Sequence, residues 1–140
     1  MKEIISNNEK DTVKLGEHLA KGAKPGDFFA LYGDLGSGKT VLTKGIAKGL
    51  GVKDPTHVNS PSFVLIKEYK GRLPLYHFDV YRLESGDILD TVAYEEYFYG
   101  KGVTVCEWAD KIKGILPERR TDIKLFHMSA KKRRVQIEKL

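Results

Sequence analysis

The sequence predicts an α/β domain whose central sheet mixes parallel and antiparallel strands, flanked by helices. Three observations predict it. A glycine-rich turn around one lysine, "GDLGSGKT", separates the apolar run "DFFALYG" from the helix-like "GKTVLTKGIAKGLG". Two strand-like runs, "SFVLIKEY" and "LPLYHFDVYR", are joined only by "KGR", too short for a parallel crossover, so they must pair antiparallel. "DIKLFHMS" and "RRVQIEKL" flank "AKK" as a closing hairpin. At 140 residues, 41% hydrophobic and 31% charged, the chain reads as one domain, 1–140, with a core that needs no staples.

In chain order, "DTVKLGEHLAKGAKPG" reads as a helix capped at Asp11, with Leu15, Leu19 and Ala23 at helical spacing and Pro25-Gly26 ending it. "DFFALYG" is a buried strand. The helix after the glycine turn carries Leu42, Ile46 and Leu50 on one stripe and stops at Gly51. The antiparallel pair follows. "ESGDILDTVAYEEYFYGKG" reads as helical to about Tyr99, "VTVCEW" as a short strand, and the hairpin closes the sheet. No repeat or low-complexity linker interrupts this order.

Composition excludes several classes. No apolar stretch is long enough to cross a bilayer, and "MKEIISNNEK" lacks the apolar region of a secretion signal, so a cytoplasmic location with no membrane is the expectation. The single cysteine, Cys106, excludes an internal disulfide and a cysteine-built zinc site, and it reads as core. A net charge of +5 suits a polyanionic partner but does not identify one.

The glycine turn carries the chemistry. Gly33, four residues, then Gly38-Lys39-Thr40 is the P-loop pattern. Its glycines let main-chain N–H groups converge on phosphate oxygens, and the following helix adds its positive dipole end. Asp34, Leu35, Gly36, Ser37, Gly38, Lys39, Thr40 and Val41 are therefore the expected ATP-binding run. Lys39 is expected on the β- and γ-phosphates, and the Thr40 hydroxyl on Mg²⁺. Such a site needs acids at strand ends. Asp79 and Glu107 end two core strands, and with Lys39 they are the expected catalytic set. Thr40, Asp79 and Glu107 are the expected metal ligands, and the sequence leaves open which acid binds directly.

Beyond this, "GDLGSGKT", "VNSPSFVLIKEY", "LPLYHFDVYRL", "EEYF" and "CEWAD" occur in an order and spacing that resembles the bacterial TsaE (YjeE) family, over about Gly16 to Trp108. The resemblance implies a compact P-loop ATPase serving tRNA threonylcarbamoyladenosine synthesis, slow alone and docked on the TsaB–TsaD heterodimer, with contact to tRNA through that complex left open. By position, Lys39 and Thr40 match the phosphate lysine and the magnesium threonine. Asp79 and Glu107 match the site acids, and Trp108 the neighbouring tryptophan. Ser60, Pro61, Ser62 and Phe63 match a switch-like segment that is usually "SPTF", with Ser62 keeping the hydroxyl that could sense the γ-phosphate. Two departures stand outside the phosphate chemistry: Val92-Ala93 where a Leu-Gly pair is common, and Ala109 where proline is frequent.

Other residues have two readings. His77, two residues before Asp79, shares its strand face, beside the nucleotide or as a satisfied core histidine. Trp108 could touch the nucleotide or pack beside it. Arg82 could meet phosphates or anchor Glu84 or Asp79. "KKRR", Lys131 to Arg134, is a solvated turn or a contact for tRNA or an acidic partner. A small-molecule kinase is the alternative function, although the chain has little room for an acceptor pocket and an arginine-bearing lid. A non-enzymatic RNA-binding module leaves the P-loop unexplained, and a GTPase lacks its guanine-reading Asn-Lys-x-Asp.

Overall fold

The computed structural model describes residues 1–59, 66–81 and 93–140. The expectations for Ser60, Pro61, Ser62 and Phe63, and for Arg82, Glu84 and Val92, lie outside the described residues.

Strand β1 (Lys2–Ser6) leads into helix α1 (Glu9–Lys21), β2 (Phe28–Tyr32) and α2 (Lys39–Gly49). After a 3₁₀ turn at Pro55–His57 come β3 (Ile66–Tyr69), β4 (Leu75–Asp79), α3 (Tyr94–Phe98) and β5 (Val103–Glu107). A kinked 3₁₀ segment, Ala109–Ile115, precedes β6 (Thr121–His127) and β7 (Arg133–Lys139). The strands form one mixed sheet in the order β1-β7-β6-β2-β5-β4-β3. β2 runs parallel to both β5 and β6, and β4 is parallel to β5. The pairs β3–β4, β6–β7 and β1–β7 are antiparallel. This is the P-loop fold that the sequence predicts, with β1 added at one edge.

Helix α1 departs from expectation at both ends. Its cap is Asn8, not Asp11: the extended Asn8 accepts the Asp11 N–H at 2.8 Å on Oδ1. Asp11 lies within the first turn beside Glu9, where both carboxylates favour the helix N-terminus. The helix ends at Lys21 with Gly22 as its C-cap, before Pro25-Gly26 is reached, since glycine is a poor helix former. Ala23 is buried just beyond it.

Each face of the sheet has its own core. Leu31, Leu75, Val103, Val105, Ile123 and Leu125 pack under α1 and α2 against Leu42, Ile46 and Leu50. On the other face Phe28, Ala30, Phe78 and Cys106 pack against Phe98, Ala109 and Ile112. Cys106 is therefore core, and its burial pushes the thiol pKa well up. The helices α1 and α2 touch through glycines. A Cβ at Gly45 would stand 2.3 Å from the Val13 carbonyl oxygen, and one at Gly16 2.5 Å from that of Leu42.

Candidate functional site

β2 ends at Tyr32, and the chain turns through Gly33 to Gly38 before α2 begins at Lys39. Gly33 has φ +153°, and a Cβ there would meet Ser37 Oγ at 2.5 Å and the Leu125 carbonyl oxygen at 2.7 Å. Gly38, the N-cap of α2, is left-handed at φ +104° and offers no side-chain cap. The first N–H groups of α2 thus lack the usual side-chain acceptor and suit an anion.

Lys39 is only 5% exposed. Its Nζ donates to the carbonyls of Gly33 and Asp34, the latter at 2.9 Å, and stands 3.4 Å from Ser37 Oγ. Burial lowers the pKa of its ammonium below the usual lysine value, and the negative charges of Glu107, Asp79, Asp34 and Asp110 oppose that shift. The Nζ also lies 4.1 Å from the centre of the Trp108 ring. Trp108 is left-handed (φ 62°) and stacks at a tilt on Tyr81, centroids 4.7 Å apart, whose carbonyl accepts from Lys111 at 2.5 Å. It packs beside the lysine as part of the wall.

The acids arrive on adjacent strands. The register of β4 and β5 sets Asp79 opposite Glu107. Strand alternation places His77, Asp79 and Glu107 on one face, toward α2. Thr40, one residue into α2, donates from Oγ1 to Glu107 Oε1 at 3.1 Å, with Oε2 at 3.4 Å. His77 Nε2 lies 2.5 Å from Glu107 Oε2, with both side chains buried. Asp79 Oδ1 accepts the Tyr81 N–H at 3.0 Å.

A cavity of about 690 Å³ opens over these groups. Of the expected residues, Leu35, Gly36, Gly38, Lys39, Thr40, Val41, Asp79, Glu107 and Trp108 line it. Asp34 and Ser37 do not line it. The Asp34 carbonyl holds Lys39, and Ser37 is buried beneath the loop. Ser62 lies outside the described residues. Among the described residues no cluster of three or more His, Cys, Asp or Glu forms a self-sufficient metal cage. One hydroxyl with one or two carboxylates is the donor set that suits Mg²⁺, which takes its remaining ligands from water and phosphate.

Two parts of the site escaped the sequence reading. The first turn of α1, from Asn8 to Thr12, forms part of the wall with Lys131 and Arg133 of the β6–β7 hairpin. Arg133 also braces the loop from outside: Nε donates to the Ser37 carbonyl at 3.1 Å and an Nη to that of Gly36 at 3.0 Å. Its other Nη bonds the Ser129 and Lys132 carbonyls, both at 2.9 Å. The solvated-turn reading of "KKRR" therefore fails for Arg133. No motif announces it, because its partners in the loop lie 96 and 97 residues away.

A sequence profile described as "Threonylcarbamoyl adenosine biosynthesis protein TsaE" matches residues 6–135. The chain belongs to the TsaE family. It is 50% identical over 117 residues to the Bacillus subtilis (strain 168) "tRNA threonylcarbamoyladenosine biosynthesis protein TsaE", covering 83% of this chain and 72% of that one. To the protein of the same description from Aquifex aeolicus it is 37% identical over 137 residues, covering 90% and 96%. The crystal structure of Bacillus subtilis YdiB superposes with a TM-score of 0.79 at 38% identity, covering 97% of this chain and 83% of that one. Like its relatives by description, this TsaE family member is assigned to tRNA threonylcarbamoyladenosine biosynthesis. No helix among its described residues is long and apolar enough to cross a membrane.

Proposed function

We propose that the chain is the ATPase of tRNA threonylcarbamoyladenosine formation, binding ATP with Mg²⁺ in the cavity above the loop while docked on the TsaB–TsaD heterodimer. The observation that carries this reading is the meeting of an uncapped α2 N-terminus with Lys39 and the Thr40–Glu107 pair. Main-chain N–H groups of Gly36 to Thr40 would take phosphate oxygens. Lys39, attached to the loop by hydrogen bonds to main-chain carbonyls, would exchange these for the β- and γ-phosphates. Thr40 and one of the acids Glu107 and Asp79 would hold Mg²⁺ directly, and the cation neutralises charge on the transferring phosphoryl group when bound. The carboxylate not committed to the cation would orient the water that attacks the γ-phosphorus in line.

The Arg133 guanidinium is committed to four main-chain carbonyls and so is poorly placed to act as an arginine finger. Slow hydrolysis alone and stimulation by the partner belong to this reading, with docking completing the site. Cytoplasmic residence, beside the tRNA, belongs to the same reading, as does contact with tRNA through the complex.

The test is ATP hydrolysis with and without TsaB–TsaD. Stimulation is expected in the wild type, and Lys39→Ala and Glu107→Ala should each reduce it by about a hundredfold or more. Hydrolysis unchanged by the heterodimer would refute the docking mechanism, and a phosphorylated small product would establish a kinase instead.

A further inference from the structure

His77 is fully buried on the face of β4 that looks toward α2. Its Nε2 lies 2.5 Å from Glu107 Oε2, and its Nδ1 has no hydrogen-bond partner. In that contact Nε2–H donates to the carboxylate, and Nδ1 is left without a partner in a dry interior. A leucine or phenylalanine would fill the same space and strand no nitrogen. What histidine supplies there, and an apolar residue cannot, is the one N–H aimed at Glu107.

That N–H acts on a carboxylate with few other restraints. Among the described residues, His77 and Thr40 hydrogen-bond the Glu107 side chain. Both carboxylate oxygens lie within reach of the Thr40 hydroxyl, Oε1 at 3.1 Å and Oε2 at 3.4 Å, so that contact alone does not fix which oxygen stays there, and the His77 N–H singles out Oε2.

We infer that His77 is a positioning residue for Glu107: its Nε2–H holds Oε2 against the sheet, so that Oε1 stays beside the Thr40 hydroxyl as a preset ligand for a divalent cation. The inference rests on the proposed Mg²⁺–ATP reading and adds to it a further side chain, one that touches neither metal nor nucleotide. Partners that orient a ligating side chain affect metal affinity in this way in other proteins.

Trp108 is the one tryptophan of the chain and adjoins Glu107, with Lys39 over its ring, so its fluorescence reports on the site. Wild type, His77→Leu and His77→Gln are titrated with MgCl₂ in saturating AMP-PNP, and separately with AMP-PNP in EDTA, after thermal melts confirm folding. His77→Leu is expected to raise the Mg²⁺ midpoint about tenfold while its metal-free AMP-PNP affinity stays within about twofold of wild type. His77→Gln, whose amide can donate from near the Nε2 position, should return the midpoint to within about threefold. A packing role would instead lower the melting temperature and leave the Mg²⁺ midpoint in place.

A wild-type midpoint in folded His77→Leu overturns the inference and leaves the nucleotide reading standing. A wild type whose AMP-PNP binding ignores Mg²⁺ overturns both. If leucine prevents folding, His77→Asn replaces it, because its amide sits near Nδ1 and falls short of Glu107. The same tenfold shift is expected there, and its absence is equally decisive.

Discussion

On the face of the sheet covered by α3, Phe28 and Phe78 meet Phe98 edge to face, with centroids 4.7 and 5.2 Å apart. On the face covered by α1 and α2, the apolar run Leu75, Val103 and Val105 gives way at the strand ends to His77, Asp79 and Glu107. The same two strands build both. Phe78 lies between His77 and Asp79, and Cys106 precedes Glu107, so adjacent residues serve opposite faces. One face is a solvent-free aromatic cluster with ordinary packing. The other tolerates a buried lysine, a buried glutamate and a histidine with a stranded nitrogen. Such groups cost stability, and their concentration at the ends of parallel strands marks where a ligand is received.

If the faces are separable, neighbours should fail differently. The largest effect is expected from Phe78→Ala, which removes a ring from the aromatic cluster. It should cost about 3–5 kcal/mol in denaturant unfolding while Mg²⁺–nucleotide affinity of the folded protein stays within about twofold. An affinity loss beyond tenfold would show that the aromatic face sets the geometry of the acids. A smaller effect of opposite kind is expected from Arg133→Ala on the site face. Releasing the Gly36 and Ser37 carbonyls should weaken nucleotide binding about tenfold, roughly 1.4 kcal/mol, with stability changed by less than about 1 kcal/mol. Isothermal titration set beside a thermal melt separates the two, and unchanged affinity would remove Arg133 from the site.

The smallest effect is a pH dependence on the aromatic side. The Tyr32 phenol donates to Asp122 Oδ1 at 3.1 Å, and burial first, then the Asp122 charge, raises its pKa to about 12. Between the ordinary value of 10.0 and 12 the unfolded chain loses this proton and the folded chain keeps it, so stability falls as pH rises through that window. Screening by solvent limits the loss to about 1 kcal/mol. Tyr32→Phe should flatten this part of the curve in denaturant midpoints measured from pH 9 to 12, with equal slopes in both proteins as the contrary result.

What the sequence makes legible follows from how local each signal is. The loop from Gly33 to Thr40 is contiguous, and its glycines need no tertiary context to be recognised. Asp79 and Glu107 are visible as strand ends. The alternation of apolar residues indicates a face but not a register, so the contact between His77 and Glu107, 30 residues apart, could not be read. Arg133 and Ser37 are 96 residues apart and share no pattern. Asn8 and Asp11 are both good capping residues, and only the Asn8 hydrogen bond decides between them. β1 is a short, mostly exposed edge strand whose alternation is too faint to mark it in the sequence.

The glycine contact between α1 and α2 has a mechanical consequence. Val13 carbonyl meets Gly45, and Leu42 carbonyl meets Gly16, with no side chain between to act as a cushion. Two helices locked backbone to backbone cannot slide without collision, so they behave as one strut. That strut carries Lys39 and Thr40 on its second helix and the Asn8–Thr12 wall on its first. The mouth of the cavity therefore has one stiff jaw. Any widening to admit or release a ligand falls to the other walls, among them the β6–β7 turn that Arg133 ties to the loop.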